Sequence, residues 1–307
     1  MTLLSRVSVL AVKTETTPGT AESVDATNAA LNVMDADMTA TIPVSVRPIQ
    51  GSFRKLEGVP GARQAACTFT LELVGDGAGG VPAWATTLLS ACGIVNTAGV
   101  LTPRNEVPGS NVKTVTLALY ENGRRKLMFG ASGNVVFTIT PGAAVMMAFT
   151  FTGVWGGVTD TAILAPTYPT VVPIRASSGA FTINSVVQTF ATATFDVGNV
   201  VTVRPSISTA TGFAHSVITD RTPMFTIDPE AKLVATTDVF GDWQAGTTRA
   251  LAMSIENATD NVAIAAPAVQ RMTVANADRE GLRVDTQTLQ CCRSGSDAEF
   301  SITFAAA

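Results

Sequence analysis

Along most of this chain apolar and polar residues take turns. A period of two is the signature of a β-strand with one face buried and the other in water. Cys67-Thr-Phe-Thr-Leu-Glu-Leu-Val74 is the clearest run, followed by Lys113-Thr-Val-Thr-Leu-Ala-Leu-Tyr120 and Asn134-Val-Val-Phe-Thr-Ile139. Alternation of Val7, Val9 and Ala11 predicts a strand near the start. Further strands are expected over 145–152, 181–187, 192–203, 224–228, 250–255, 269–274, 282–290 and 298–304, many separated by Gly, Pro, Asn or Asp. Such patterning confines the chain to a mainly β, antiparallel architecture, because strands buried on both faces would read as continuous apolar runs.

Composition narrows the class further. Charged residues are only 14% of the chain, against roughly 25% in ordinary soluble domains. Hydrophobic residues reach 46% with aromatics at 6%, a balance opposite to that of disordered chains. Much surface must be hidden, some of it in contacts between subunits. The net charge is −4, split as 11 basic and 10 acidic residues over 1–153 and 9 and 14 over 154–307. Neither half carries a basic stripe, so holding nucleic acid by its phosphates is excluded as the main task. The one dense run, Arg124-Arg125-Lys126, follows Glu121-Asn122-Gly123 and reads as the flank of an exposed hairpin. No apolar run approaches the roughly 20 residues of a membrane helix. Arg6 and Lys13 leave too short an apolar segment for a signal peptide, so none is expected.

Catalytic chemistry has little to build on. The single His, His215, lies in Phe213-Ala-His-Ser-Val-Ile-Thr-Asp220, and neighbours along one strand do not converge as a triad. Cys67, Cys92, Cys291 and Cys292 show no zinc-type spacing and read as free thiols of a reducing cytosol, with Cys291 and Cys292 on opposite faces of a strand. Gly75-Asp-Gly-Ala-Gly-Gly80 fits G-x-G-x-x-G between a strand and a helix, the setting of a dinucleotide site. The strand before it alternates with polar residues, however, and no strand ending in an acid follows about 20 residues on. A strand-to-helix connector is the better reading, and no cofactor is expected.

Two helical stretches interrupt the strands. Pro82-Ala-Trp-Ala-Thr-Thr-Leu-Leu-Ser-Ala-Cys92 opens with Pro and is followed by Gly93; Thr237-Asp-Val-Phe-Gly-Asp-Trp-Gln-Ala245 opens with a Thr or Asp cap and stops at Gly246. Each carries one Trp, each follows a strand of similar text (Phe69-Thr-Leu-Glu72 and Phe225-Thr-Ile-Asp228), and each precedes a strand ending in Glu-Asn. The order strand, helix, strand, turn, strand, strand therefore occurs twice, with an insertion near 93–112 in the first copy. Two tandem antiparallel β-sandwich or barrel-like domains are expected, each with one flanking α-helix. The first spans 1–154 and includes a long loop over 40–64; a linker over 155–180 leads to the second, 181–307.

Lys13-Thr-Glu-Thr-Thr-Pro-Gly-Thr20, the helix 82–93, Phe149-Thr-Phe-Thr-Gly153, Asp196-Val-Gly-Asn199, Ile218-Thr-Asp-Arg-Thr-Pro223, Trp243-Gln-Ala-Gly-Thr247, Ala266-Pro-Ala-Val-Gln270 and Ser294-Gly-Ser-Asp-Ala-Glu-Phe300 form an ordered set. Together they resemble the major tail tube proteins of long-tailed, siphovirus-type bacteriophages. The resemblance runs in order over nearly the whole chain. It implies a structural, non-enzymatic virion protein of tail-tube domains, assembled in the host bacterial cytoplasm into stacked rings that form the tail tube. The implied partners are further copies of the chain, neighbouring rings, a tape-measure protein and tail terminator and tip proteins. Genome DNA passes through the lumen without specific binding, and no membrane is involved. Because the chain holds two copies, a trimeric ring with pseudo-sixfold symmetry is favoured over a hexamer. The loop 40–64, with Arg47, Arg54, Lys55 and Glu57, is expected to be poorly ordered alone and to contact a neighbouring ring, and the lumen wall to be neutral or net negative. The alternatives are another phage structural protein (capsid or decoration) and a β-sandwich adhesin or carbohydrate-binding module.

Overall fold

The computed structural model describes residues 6–103, 113–177, 179–295 and 298–307. In chain order the first half gives β1 (Ser8–Thr14), β2 (Val33–Thr41), the hairpin of β3 (Val44–Pro48) and β4 (Lys55–Pro60), then β5 (Gln64–Glu72) and α1 (Ala83–Ala91). A small hairpin of β6 (Ile94–Thr97) and β7 (Val100–Pro103) precedes β8 (Val115–Glu121), β9 (Arg124–Ile139) and β10 (Met146–Asp160). The second half gives β11 (Ala180–Ile183), β12 (Val186–Val187), β13 (Phe190–Asp196), the hairpin of β14 (Asn199–Pro205) and β15 (Phe213–Arg221), and β16 (Met224–Pro229). After these come α2 (Val239–Ala245), β17 (Thr248–Glu256), β18 (Asp260–Arg279), β19 (Leu282–Cys291) and β20 (Ser301–Ala306). The chain is mainly β, with two α-helices and all strand pairs antiparallel, as the alternation predicts.

Sixteen strands form one sheet, and its pairing order is written twice. β1-β8-β9-β10-β5-β2 in the first half corresponds to β11-β17-β18-β19-β16-β13 in the second. The match extends to register. Leu117 stands between Val12 and Met128, and Leu251 between Ile183 and Ala266. A register shift sits just before each of these leucines, between Val115 and Leu117 and between Arg249 and Leu251. Cys67 stands between Met38 and Phe151, and Phe225 between Phe195 and Leu289. The hairpin β3–β4 leaves the first half where β14–β15 leaves the second.

The halves join edge to edge. Beyond the stretch of β9 that β8 covers, β13 takes its place, pairing Ala193 with Ile139, Thr194 with Thr138, Phe195 with Phe137 and Asp196 with Val136. The buried side of this joint is aromatic: Phe195 stacks on Phe225 at 4.3 Å and on Phe137 at 5.8 Å, with Phe300 edge-on at 5.0 Å. Phe69, Phe149 and Phe151 stack alongside on β5 and β10. Local chemistry supports the pairing. The β8–β9 connection is Asn122-Gly123, with φ of 45° and 105°, the two left-handed residues that a tight hairpin turn needs to match strand twist. Asp238 caps α2 by accepting a hydrogen bond from the Gly241 N–H at 2.7 Å, and Gly246 ends it in the left-handed region.

Four expectations change. The 40–64 region is not one irregular loop: it holds the last two residues of β2, all of β3 and β4, and the first residue of β5. Residues 155–160, expected to open the linker, continue β10, pairing Val158 with Lys126 and Asp160 with Arg124. The strand expected over 192–203 is two strands, because Val197-Gly198 turns the chain out of the sheet into β14. The insertion near 93–112 begins with β6 and β7, and its residues 104–112 lie outside the described residues. The two tryptophans differ in place as well: the Trp84 indole N–H donates to the Val74 carbonyl, that of Trp243 to the Met272 carbonyl.

Candidate functional site: the polar face of the central sheet

One face of the path β2-β5-β10-β9-β13-β16-β19-β18 packs on the core, and the opposite face is polar. Successive cross-strand partners spell a row across it: Glu72, Met146, Thr138, Thr194, Thr226, Thr288, Thr273. A second row reads Asp37, Thr68, Thr150, Asn134. Threonine suits this place because its branched Cβ favours the strand while its hydroxyl presents a wet, uncharged surface. The polar face of these strands carries the carboxylates Asp37, Glu72, Asp196 and Asp228, and Asp228 is paired at 3.1 Å with Arg279 at the end of β18. No Lys or Arg stands in either row, so a polyanion sliding over them meets no cationic anchor of the kind that makes DNA binding tight and salt-dependent.

The joint within this face is held by one short segment. Asn134 Nδ2 donates to Asp196 Oδ1 at 2.7 Å, the Asn199 backbone N–H donates to Asn134 Oδ1 at 3.0 Å, and Asn199 Nδ2 donates to the carbonyls of Cys92 and Gly133. Asp196-Val-Gly-Asn199 is thus the latch between the halves. In the N-terminal segment, Glu15 is buried and accepts from Thr114 Oγ1 at 2.6 Å, Thr116 Oγ1 at 2.9 Å and the backbone N–H groups of Gly130 and Gly19.

The glycine-rich loop after β5 proves to be a cradle for a carboxylate, and the occupant is the chain's own. Gly77 and Gly79 N–H groups donate to Asp260 Oδ1 at 3.1 and 3.3 Å. A Cβ on Gly75 would come within 2.3 Å of the Asp260 carboxyl carbon, and one on Gly79 within 2.1 Å of the Ala306 nitrogen. Backbone N–H groups of Ala78 and Gly80 hold the Asp76 carboxyl below its ordinary value. The same physics that cradles phosphate here staples the first half to the start of β18.

His215 lies on β15, where burial and the neighbouring Arg204 depress its pKa. Ser216 donates its hydroxyl proton to the Gly130 carbonyl at 2.7 Å, and Asp220 accepts from the Arg221 N–H, so the three are structural parts of a hairpin. Among the described residues no group of three or more metal-ligating side chains converges, and no helix is long and apolar enough to cross a membrane.

A family model described as phage tail tube protein matches residues 5–291. The chain belongs to that family. No curated protein matches it. The phage tail tube chain is a structural component of the virion tail, which is the function that the sequence resemblance implies.

On the tail tube chain, Arg47 lies on β3, Arg54 in the following turn, and Lys55 and Glu57 on β4. All four are exposed, and among the described residues none of their side chains makes an ion pair or hydrogen bond. What the sequence reading missed is the hairpin itself, although a signal exists. Val44-Ser-Val-Arg-Pro48 and Val201-Thr-Val-Arg-Pro205 are near-identical, and each is the first strand of its hairpin.

The cysteines give a direct check of the core. All four are free thiols; Cys67, Cys92 and Cys291 are buried, and Cys292 is half-buried. Burial pushes the Cys67 thiol up to about 12 and those of Cys92 and Cys291 higher still. Since the thiolate is the reactive form, native protein at pH 8 is expected to label at Cys292 alone within minutes, and at four sites once denatured. Rapid native labelling of Cys67 or Cys92, read by peptide mapping, would contradict the packing of β5 and α1.

Proposed function

We propose that the tail tube chain is a pair of tandem tail-tube domains, the first ending with β10 at Asp160 and the second starting with β11 at Ala180, and that three chains close each ring with pseudo-sixfold symmetry. The observation that carries this reading is the pairing order repeated in both halves, with β13 of one half seated on β9 of the other. Two edges match that joint and lack a strand partner among the described residues: the outer edge of β2, and the edge of β18 over 272–279 opposite β19. Transferring the internal register to a joint between chains pairs Met38 with Asn276, Thr39 with Ala275 and Asp37 with Ala277. Contacts of this head-to-tail kind close a ring when the rotations sum to a full turn. Closure also removes exposed strand edges, which are an aggregation hazard in a monomer.

In the closed ring the threonine rows face the lumen, and genome DNA passes over hydroxyls and carboxylates. The rings stack into a siphovirus-type tube in the host cytoplasm, around a tape-measure protein and between tip and terminator proteins. Arg47, Arg54, Lys55 and Glu57, in the far half of the β3–β4 hairpin, meet the neighbouring ring. Native mass spectrometry of isolated rings tests the stoichiometry. Three chains per ring is the expected result; six chains would overturn it.

A further inference from the structure

The two hairpins have the same origin in the sheet and near-identical first strands, yet opposite surroundings. β14–β15 lies on the first half. Ser216 is fully buried and bonded to the Gly130 carbonyl, a Cβ on Gly130 would meet His215 at 3.0 Å, and the Arg63 N–H donates to the Thr211 carbonyl at 2.9 Å. Val201 and Val203 turn toward this surface and are half-buried. Their counterparts on β3 are Val44, 59% exposed, and Val46, 66% exposed, and every residue of β3 and β4 is exposed. A strand pair with an apolar stripe and nothing against it costs free energy in water.

The surface that β14–β15 covers also has a counterpart. The pairing register matches Gly130 of β9 with Ala268 of β18, and Cys92 after α1 with Gly246 after α2. Around Ala268 the second half exposes Met272 at 44% and Trp243 at 41%, the indole donating to the Met272 carbonyl. Ala268 itself is buried at 8% exposure, so the apolar surface left open here is that of Met272 and Trp243, where the equivalent region of the first half is covered by β14–β15.

We propose that the β3–β4 hairpin of one tail tube chain docks sideways onto the Trp243–Met272 strip of a second copy in the same ring, as β14–β15 docks on β9 and β10 within the chain. The occupant is a second copy because the chain already contains this hairpin-on-sheet contact once, and the unpaired halves of it are found at its two ends. The inference rests on the ring reading above, and adds to edge pairing a clasp outside the lumen wall.

Two variants test it. Val44→Glu/Val46→Glu changes residues that are exposed in the free chain, so the monomer is expected to keep its circular dichroism and melting temperature. The protein concentration needed for tube growth is expected to rise at least tenfold. Growth at the wild-type concentration would overturn the proposal. The second variant is Val46→Cys/Met272→Cys in a Cys292→Ser background, treated with a short bifunctional maleimide after assembly. Lateral docking gives a covalent ladder that stops at the number of chains in one ring. A ladder running on without limit, or no ladder from intact tubes, would overturn the clasp. Ring mass is read separately, so a wrong stoichiometry with a closed ladder would refute the three-chain reading alone.

Discussion

Replacing Asp242 by Ala is expected to lower the stability of the folded tail tube chain by about 3–5 kcal/mol, the cost of leaving a buried partner charge unpaired. Asp242, on α2, receives Arg249 through two hydrogen bonds of 2.9 and 2.6 Å and Arg271 through one of 2.8 Å. The Arg271 side chain is only 2% exposed and also donates to Gln287 Oε1 at 3.0 Å. Without the carboxylate, one guanidinium stays inside the protein with a single neutral acceptor. Arg249, whose side chain is 35% exposed, can turn to water, so Arg249→Ala should cost about 1 kcal/mol or less. Urea unfolding of the two variants side by side separates the cases, and equal losses would contradict the assigned burial. The site also has a pH signature. The Arg249 hydrogen bond, aided by the Arg271 charge and opposed by burial, holds the Asp242 carboxyl below its ordinary 3.8. A carboxyl more acidic in the folded chain than in the unfolded one stabilises the fold fully above the unfolded value. That contribution is lost as pH falls through the folded one. The Asp242→Ala penalty should therefore shrink in acid, below about pH 4.

Phe195→Ala is expected to cost about 3–5 kcal/mol, the range for removing a buried aromatic ring and leaving a cavity. Phe195 is fully buried and touches rings from both halves, Phe137 on β9 and Phe225 on β16. Its loss should lower the unfolding midpoint without splitting the transition, because β13 still pairs on both sides. Two separated transitions would instead mean that this ring stack is the chief bond between the halves. Phe181→Ala makes a useful comparison: its ring is buried at 5% exposure, and the aromatic rings it meets, Phe190 and Phe225, both belong to the second half.

Much of the sheet was legible because one face of each central strand is buried. The alternation at Cys67–Leu71, Val135–Ile139 and Phe225–Ile227 records that difference directly. Asn122-Gly123 and the residues flanking both helices were legible for a local reason, since only certain residues satisfy left-handed turns and helix ends. The β3–β4 hairpin escaped because no face of it is buried within the chain, and Pro43, Pro48, Gly51 and Gly58 mimic an irregular loop. Comparing 44–48 with 201–205 would have found it. The threonine rows were present as residues but not as a surface, since register decides which strands bring Thr138, Thr194, Thr226 and Thr288 side by side. Asp260 in its glycine cradle lay beyond reach for the same reason: the loop and its carboxylate are 183 residues apart.

β20 bridges the two halves. This last strand runs between β18 of the second half, along Asp260–Ala265, and β7 of the first, opposite Leu101 and Val100. Its Phe304 meets the edge of Trp84 on α1. Together with the β9–β13 seam it braces the two halves along two separate lines, so they cannot hinge about either one. In a three-chain ring, stiff joints inside each chain would alternate with joints between chains that have no such brace. A tail bending during infection would then flex at three places around each ring, and the curvature of every other joint would be fixed before assembly begins.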